Sequence, residues 1–414
     1  MGIVLGCMPL VAKAGGFQLN EQGARAMAMG FAVVSDAADA TTLFYNPSGM
    51  MSLRDGWHIS LGITGLLPLA KFSGPTNLNK FATVNMAEWL FALPHFYAAY
   101  NIPNSDVAVG LGVFVPFGAG TRWDENWTGR NLAIRTYLQT VTINPNVAYS
   151  LLNNKLAVSA GVSYSLGRAE LRNKIINVSP EPVLNLVGEG GAFSGNISAT
   201  YEPAPYWRVG VSYRHNIAMN YRGTARYSLD AEGETPLPSG LANLFVDGSG
   251  STALNLPFDL KTGVSYRFND IVMAEAGVDV VGWGSYDTLR ISFDRLPGNP
   301  TSSGTLANAR NYYLAPIFRV GTEILASDMV KLRFGSFFDL VPVAAANTQP
   351  ILPDADRLGM STGIGITFSR TMSLDISYMF VYGFQREVRG SPVNFDGIYN
   401  SWAHAAALTL NIGF

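Results

Sequence analysis

Four histidines, His58, His95, His215 and His404, and a single cysteine, Cys7, are the residues of this 414-residue chain best suited to covalent or acid–base chemistry. Hydrolysis needs a histidine beside a nucleophile or carboxylate, and none of the four stands in such a local motif. They fall on separate alternating stretches, and His404 shares the parity of the apolar Leu408 and Leu410. Cys7 lies in an apolar N-terminal run, so the chain from Gly15 onward has no thiol for a disulfide or a cysteine metal site. No enzyme, metal or cofactor is expected. What remains is charge at one parity: Arg208, Arg214, Lys261, Arg267, Arg319, Lys331 and Arg333 alongside Glu275, Asp279, Glu323, Asp339 and Asp375. Mixed signs on one face predict paired networks, and a cation left unpaired among them would suit a carboxylate ligand.

The elements that position these residues read as strands. Leu156, Val158, Ala160, Val162, Tyr164 and Leu166 alternate with Ala157, Ser159, Gly161, Ser163 and Ser165, and the pattern returns over 330–339 and 373–384. With 48% hydrophobic and only 14% charged residues the chain is far less charged than an ordinary soluble protein. Beyond the N-terminus no apolar run approaches the roughly 20 residues of a spanning helix. An apolar, alternating chain without spanning helices predicts a transmembrane antiparallel β-barrel.

Short polar turns at 103–106, 153–155, 202–205, 269–270, 327–328 and 369–371 alternate with longer connections. With a first strand near Trp57–Leu69 and a last near Ser401–Phe414, they give about 14 strands and place both termini at the short-turn, periplasmic rim. Phe414 closing an alternating strand resembles the signal read by outer-membrane barrel-assembly machinery. The net charge of -2 gives no case for nucleic acid. Residues 1–14 read as a signal peptide ending at Ala12-Lys13-Ala14, 15–52 as a non-alternating plug for the lumen, and 53–414 as the barrel.

Apolar clusters at Val183, Leu184, Leu186 and Val187, and at Leu241, Leu244, Phe245 and Val246, fall on predicted loops. They predict either a groove for an apolar ligand or a lid over the barrel mouth. Val115-Pro116-Phe117-Gly118 would interrupt the third strand, because proline removes a ladder donor. Pro94, Pro145, Pro257 and Pro316 also fall in predicted strands, so proline alone does not single out one opening. Asn46-Pro47 reads as a turn at the end of the plug.

Gly16-Phe17-Gln18-Leu19-Asn20-Glu21, Ser35-Asp36-Ala37-Ala38, Asn46-Pro47-Ser48-Gly49 and Leu352-Pro353-Asp354-Ala355-Asp356-Arg357 together resemble the FadL/TodX (OmpP1) outer-membrane transporters of fatty acids and hydrocarbons. The resemblance implies passive uptake of apolar cargo into the outer membrane of a Gram-negative bacterium. Cargo would be caught by surface loops, held near Phe17 and Leu19, and released sideways into lipid through a break at Pro116. Long-chain fatty acids are the leading cargo and aromatic hydrocarbons the alternative. A hydrophilic general-diffusion porin is the third reading, which a plug would obstruct. The positions where fatty-acid members carry headgroup cations fall near Asn173 and Tyr313, with Arg172 and Arg319 as the nearby candidates. A barrel with its own sideways path needs no partner chain, so a monomer is expected.

Overall fold

A computed structural model describes residues 16–75 and 81–414, so the expected signal peptide lies outside the described residues. One sheet of twenty ladder segments closes on itself. Joined end to end, the segments make fourteen wall strands. These are β1 (Gly56–Pro75), β2 (Phe81–Asn85 continued by Phe91–Asn101), β3 (Val107–Phe114 continued by Gly118–Arg122), β4 (Arg135–Leu151) and β5 (Leu156–Lys174). Then come β6 (Val183–Ala204), β7 (Trp207–Arg214 and Ile217–Ser228), β8 (Gly248–Leu256 and Asp259–Arg267), β9 (Val272–Val281 and Thr288–Phe293) and β10 (Gly304–Ala309 and Ala315–Ser327). β11 (Val330–Asp339), β12 (Arg357–Ser369), β13 (Met372–Val388) and β14 (Gly397–Gly413) complete the wall. Neighbours are antiparallel throughout, and β14 pairs with β1 from His58↔Gly413 to Ser73↔Ile398, which closes the barrel.

The six short turns fall where the sequence places them, with one shift. The turn expected at 202–205 moves to Pro205-Tyr206, because β6 runs on to Ala204. Tyr206 there, and Asn104, Asn153 and Asn154 in two other turns, adopt positive φ. Of the prolines expected in strands, Pro94, Pro145 and Pro316 are in ladders, whereas Pro257 sits in the break within β8. Val183, Leu184, Leu186 and Val187 are not on a loop. Ladders to β5 on one side and β7 on the other continue through them, making them the far end of β6.

Alternation sorts the strands into an outward apolar face and an inward polar one. Val162 and Leu166 are more than half exposed, while Ser163 and Ser165 between them are buried. Residues 16–52 occupy the interior as two short helices, Ala24–Ala28 and Thr42–Tyr45, and a 3-10 turn, Pro47–Ser52, nearly all buried. Close approach to the wall is made with glycine. A Cβ on Gly335 would stand 2.0 Å from the Gly30 nitrogen, and Gly30 itself turns the chain at φ 60.

The inward charges tie this segment to the wall. Arg25 reaches Asp36 at 2.9 Å and Glu323 at 3.1 Å, and Glu323 also takes Arg333 at 2.7 Å and Lys331 at 3.0 Å. Glu275 accepts from the backbone nitrogens of Val34, Ser35 and Asp36 and from the Ser35 hydroxyl, at 2.5 to 3.1 Å. Buried ions hold only where each has partners of this kind. Asn46, at the predicted turn, donates to the carbonyls of Val34 and Ala199 and to Thr200 Oγ1, while its Oδ1 accepts from Ser48.

Candidate functional site

β3 breaks at Val115-Pro116-Phe117. Before the break it pairs with β2 from Phe96↔Val113 to Asn101↔Ala108; after it, Gly118–Arg122 pairs with β4 alone. Residues Phe91–His95 of β2 therefore have no ladder partner toward β3. The exposed backbone is satisfied from inside instead. Leu19 N donates to Pro116 O at 2.9 Å, Gly118 N to Phe17 O at 2.9 Å, and Gln18 bridges Phe117. The Gln22 amide donates to Val115 O at 2.7 Å and accepts from Val115 N at 3.2 Å. Thr140 of β4 closes the set, exchanging hydrogen bonds with Phe117 at 2.9 to 3.1 Å. The inner segment thus serves as a short third partner for a wall strand that has lost one. The sequence indicated Phe17, Leu19 and Pro116; Gln22 lies outside any alternation, and alternation puts Thr140 on the buried face without marking its role, so both were missed.

Two cavities meet at Phe17. The larger, about 640 Å³, is lined by Phe17, Leu19 and Glu21 of the inner segment, by Leu66, Phe91 and Leu93, by Val115 and Gly118 beside the break, and by Arg319, Phe337, Asp354 and Arg357. The smaller, about 140 Å³, lies between Phe17, Leu138, Leu186, Val187, Tyr221, Leu254 and Tyr286. Phe17 is 5% exposed and stands in an aromatic box, with Trp283 at 4.7 Å, Tyr286 at 5.5 Å and Phe117 at 6.2 Å between ring centres. Phe17 lines both spaces, together with Ala119, Tyr137, Leu138, Glu170 and Leu352.

At the break the wall is thin. A Cβ on Gly120 would stand 1.9 Å from the Phe91 ring and one on Gly118 2.8 Å from Leu19, so two glycines admit the side chains that fill the gap. Beside the gap Trp89 packs on Phe91 at 4.6 Å and stacks on Tyr137 at 5.5 Å, with the Arg135 guanidinium 4.7 Å over its ring. Tyr137 has the parity of Val141 and Ile143, yet it, Phe91, Arg135 and Trp89 all line the larger cavity, so this cluster stands in the gap itself. Trp89, in the short segment between the two parts of β2, was not singled out from sequence.

The expected cations separate. Arg319 lines the larger cavity, 5% exposed, with Nε on Asp279 at 2.6 Å, and its Nη2 has no acceptor among the described residues. Phe31 and Phe337 flank its guanidinium at 5.1 and 5.8 Å. Arg172 is held by Glu170 at 2.6 Å and by the Ala231 carbonyl, and lines neither cavity. Its side chain is 16% exposed, occupied by these partners and away from both cavities, so the structure does not bring it to the site. A second cavity cation, Arg357, is tied to Asp339. Burial pushes the Glu21 carboxyl above its usual range, with Arg357 and Arg319 opposing, and its Oε2 has no partner among the described residues. Burial likewise raises Asp354 to about 6, where its Oδ2 accepts from Gly16 N at 2.5 Å.

The two expected capture clusters are brought together only in part. Leu184 and Leu186 pack with Ala225, Phe293 and Tyr227, and Phe245 meets Tyr227 at 5.6 Å. Leu186 and Val187 reach the smaller cavity, whereas Leu241, Leu244, Phe245 and Val246, on and after a one-turn helix, do not. Asn46 and Pro47 line neither cavity.

A family model described as outer membrane protein transport protein (OMPP1/FadL/TodX) matches residues 5–414. The chain is 26% identical to a putative outer membrane protein of Neisseria meningitidis serogroup B, over 89% of this chain and 86% of that one. It is 22% identical to the long-chain fatty acid transport protein of Escherichia coli K12, over 97% and 95%. Among solved structures, a Pseudomonas aeruginosa FadL homologue superposes with a TM-score of 0.82 at 19% identity, covering 97% of this chain and all of the other. The P. putida toluene transporter TodX superposes at 0.76 with 15% identity, over 95% and 98%.

Proposed function

The chain belongs to the OMPP1/FadL/TodX family of outer-membrane transport proteins, and from that premise we propose that it admits long-chain fatty acids by passive diffusion and releases them sideways at the break in β3. The observation that carries this reading is the larger cavity itself. It runs from an aromatic pocket at Phe17 to a wall with no β2–β3 ladder, and its size is that of a small-molecule site. A sideways path spares an apolar molecule a second passage through water, so no energy source is needed.

In this scheme residues 16–52 act as the plug. Cargo entering past Leu186 displaces Phe17, settles along Leu66, Leu93 and Phe337, and places its carboxylate on the free Nη2 of Arg319. Glu21, held toward its neutral form by burial, donates to the same headgroup. Leu19 and Trp89 then mark the exit.

Aromatic hydrocarbons form the second reading, favoured by the Phe17–Trp283–Tyr286 box and by the pairing of most other charges. Growth of a deletion strain on a panel of fatty acids and aromatic hydrocarbons separates the two. Lost growth on fatty acids alone supports the first, and lost growth on aromatics alone the second. Normal use of every apolar compound with lost uptake of sugars or ions would overturn both.

A further inference from the structure

On β5 the outward residues are apolar from Leu156 to Leu166 and then change to Arg168, Glu170 and Arg172. Eleven residues at about 3.3 Å each, tilted by roughly 40°, span about 25–28 Å, the height of a barrel's lipid-facing band. The arginines therefore begin where the hydrocarbon ends, on the long-loop side.

Ladder register carries the change sideways. Arg168 pairs with Glu189, and Glu189 with Arg222; Arg172 pairs with Asn185, and Asn185 with Arg226. All six share the outward parity of β5, β6 and β7. Arg168 and Glu189 are 3.3 Å apart with side chains 55% and 68% exposed. Arg222, Thr224 and Arg226 are exposed on one face, and neither arginine has an acceptor among the described residues. Three exposed arginines stand against one exposed glutamate. Directly below, Tyr164 packs on Phe193 at 4.7 Å, and Phe193, 74% exposed, offers an aromatic surface at the band's edge.

We propose that Arg168, Arg222 and Arg226 bind the phosphates of a bis-phosphorylated glycolipid in the outer leaflet, with its acyl chains lying over Phe193 and Tyr164. Arg222 and Arg226, without acceptors among the described residues, match phosphate oxygens bidentately, which a lysine would not, and Arg168 joins them by exchanging Glu189 for a phosphate. Arg222 and Arg226 are about 13 Å apart along the strand, and Arg168 and Arg222 about 10 Å apart across two strand spacings. These separations suit two phosphates on one headgroup better than one. The site rests on the protein's outer-membrane location and not on its cargo.

Native mass spectrometry of the detergent-purified full chain tests this with three probes: lipid A carrying two phosphates, lipid A carrying one, and phosphatidylglycerol. The wild type is expected to retain the two-phosphate lipid at least about tenfold better than the others, and the triple Arg168→Gln/Arg222→Gln/Arg226→Gln variant to lose that preference. Arg54→Gln, an exposed arginine ahead of β1 at the short-turn rim, should leave it unchanged. Oleate binding should be unaffected by Arg222→Gln and Arg226→Gln, which line neither cavity, whereas Arg168 also lines the larger one. Equal retention by the triple variant and wild type, or equal binding of phosphatidylglycerol, overturns the site. If the triple variant does not fold, Arg222→Gln and Arg226→Gln singly carry the test, each with a smaller loss expected and an unchanged preference counting against it.

Discussion

Arg319 is the residue on which the cargo question turns, because it brings an unpaired donor to an apolar cavity while Asp279 holds it in place. A hydrogen bond to a charged group contributes about 1.5–3 kcal/mol, so Arg319→Ala should weaken oleate binding roughly tenfold or more. Toluene binding should not change. Equal losses for both ligands, measured by calorimetry, would show the residue to be structural. Asp354 gives a prediction in pH. Burial raises its pKa to about 6, above the 3.8 of a free side chain, so the folded state holds this proton more tightly than the unfolded chain. Its contribution to stability is thus fully present below pH 3.8 and is lost as pH rises through about 6. Melting of Asp354→Asn should lack that component, up to about 3 kcal/mol between pH 4 and 7. Parallel pH profiles for the two proteins would contradict it.

Among the elements, β3 and the segment before Phe91 are the ones that set the exit. Pro116→Val with Gly118→Val gives β3 the donor and the side chains a continuous ladder needs, and uptake should fall while the heat-stable barrel persists. Unchanged uptake would remove the exit from this place. Trp89→Ala deletes the ring packed on Phe91 and Tyr137, so passage of apolar cargo should quicken several-fold where exit limits the rate. If the β3 variant blocks uptake and Trp89→Ala changes nothing, the route stands and the role of Trp89 does not. Proline marked five candidate openings in the sequence. Pairing separates most of them: Pro145 and Pro316 sit within ladders, Pro94 pairs toward β1 on the edge of the gap itself, Pro257 lies in a break within β8, and Pro116 borders a stretch whose hydrogen bonds go to Leu19, Phe17 and Gln22.

At the scale of the molecule, barrel and inner segment are two structures joined by buried charge. The wall closes through its own β1–β14 ladder, so deleting residues 16–52 should leave a folded barrel. That barrel should conduct ions in planar bilayers where the intact protein does not, since the interior faces left behind are polar. A deletion protein that folds yet stays closed would mean that the long-loop rim, with its Phe72, Trp123, Trp127 and Tyr399 cluster, is the true seal.

Strand number, parity and the short-turn rim were determined by the sequence alone, because a wall with lipid on one side and a polar interior on the other imposes a period of two on every strand. Charge pairing was legible for the same reason: parity delivered Glu275, Glu323 and Arg333 to one interior. The tertiary structure decided what periodicity does not encode. It placed Arg319 in the cavity and Arg172 outside it, turned Val183–Val187 from a loop into the end of β6, and supplied Gln22, Arg25, Asp36, Asp354 and Trp89. Those residues lie in segments without alternation, and their roles depend on contacts between positions up to 338 residues apart, as between Gly16 and Asp354. Local pattern reports which way a side chain faces; only closure of the barrel determines what it meets there.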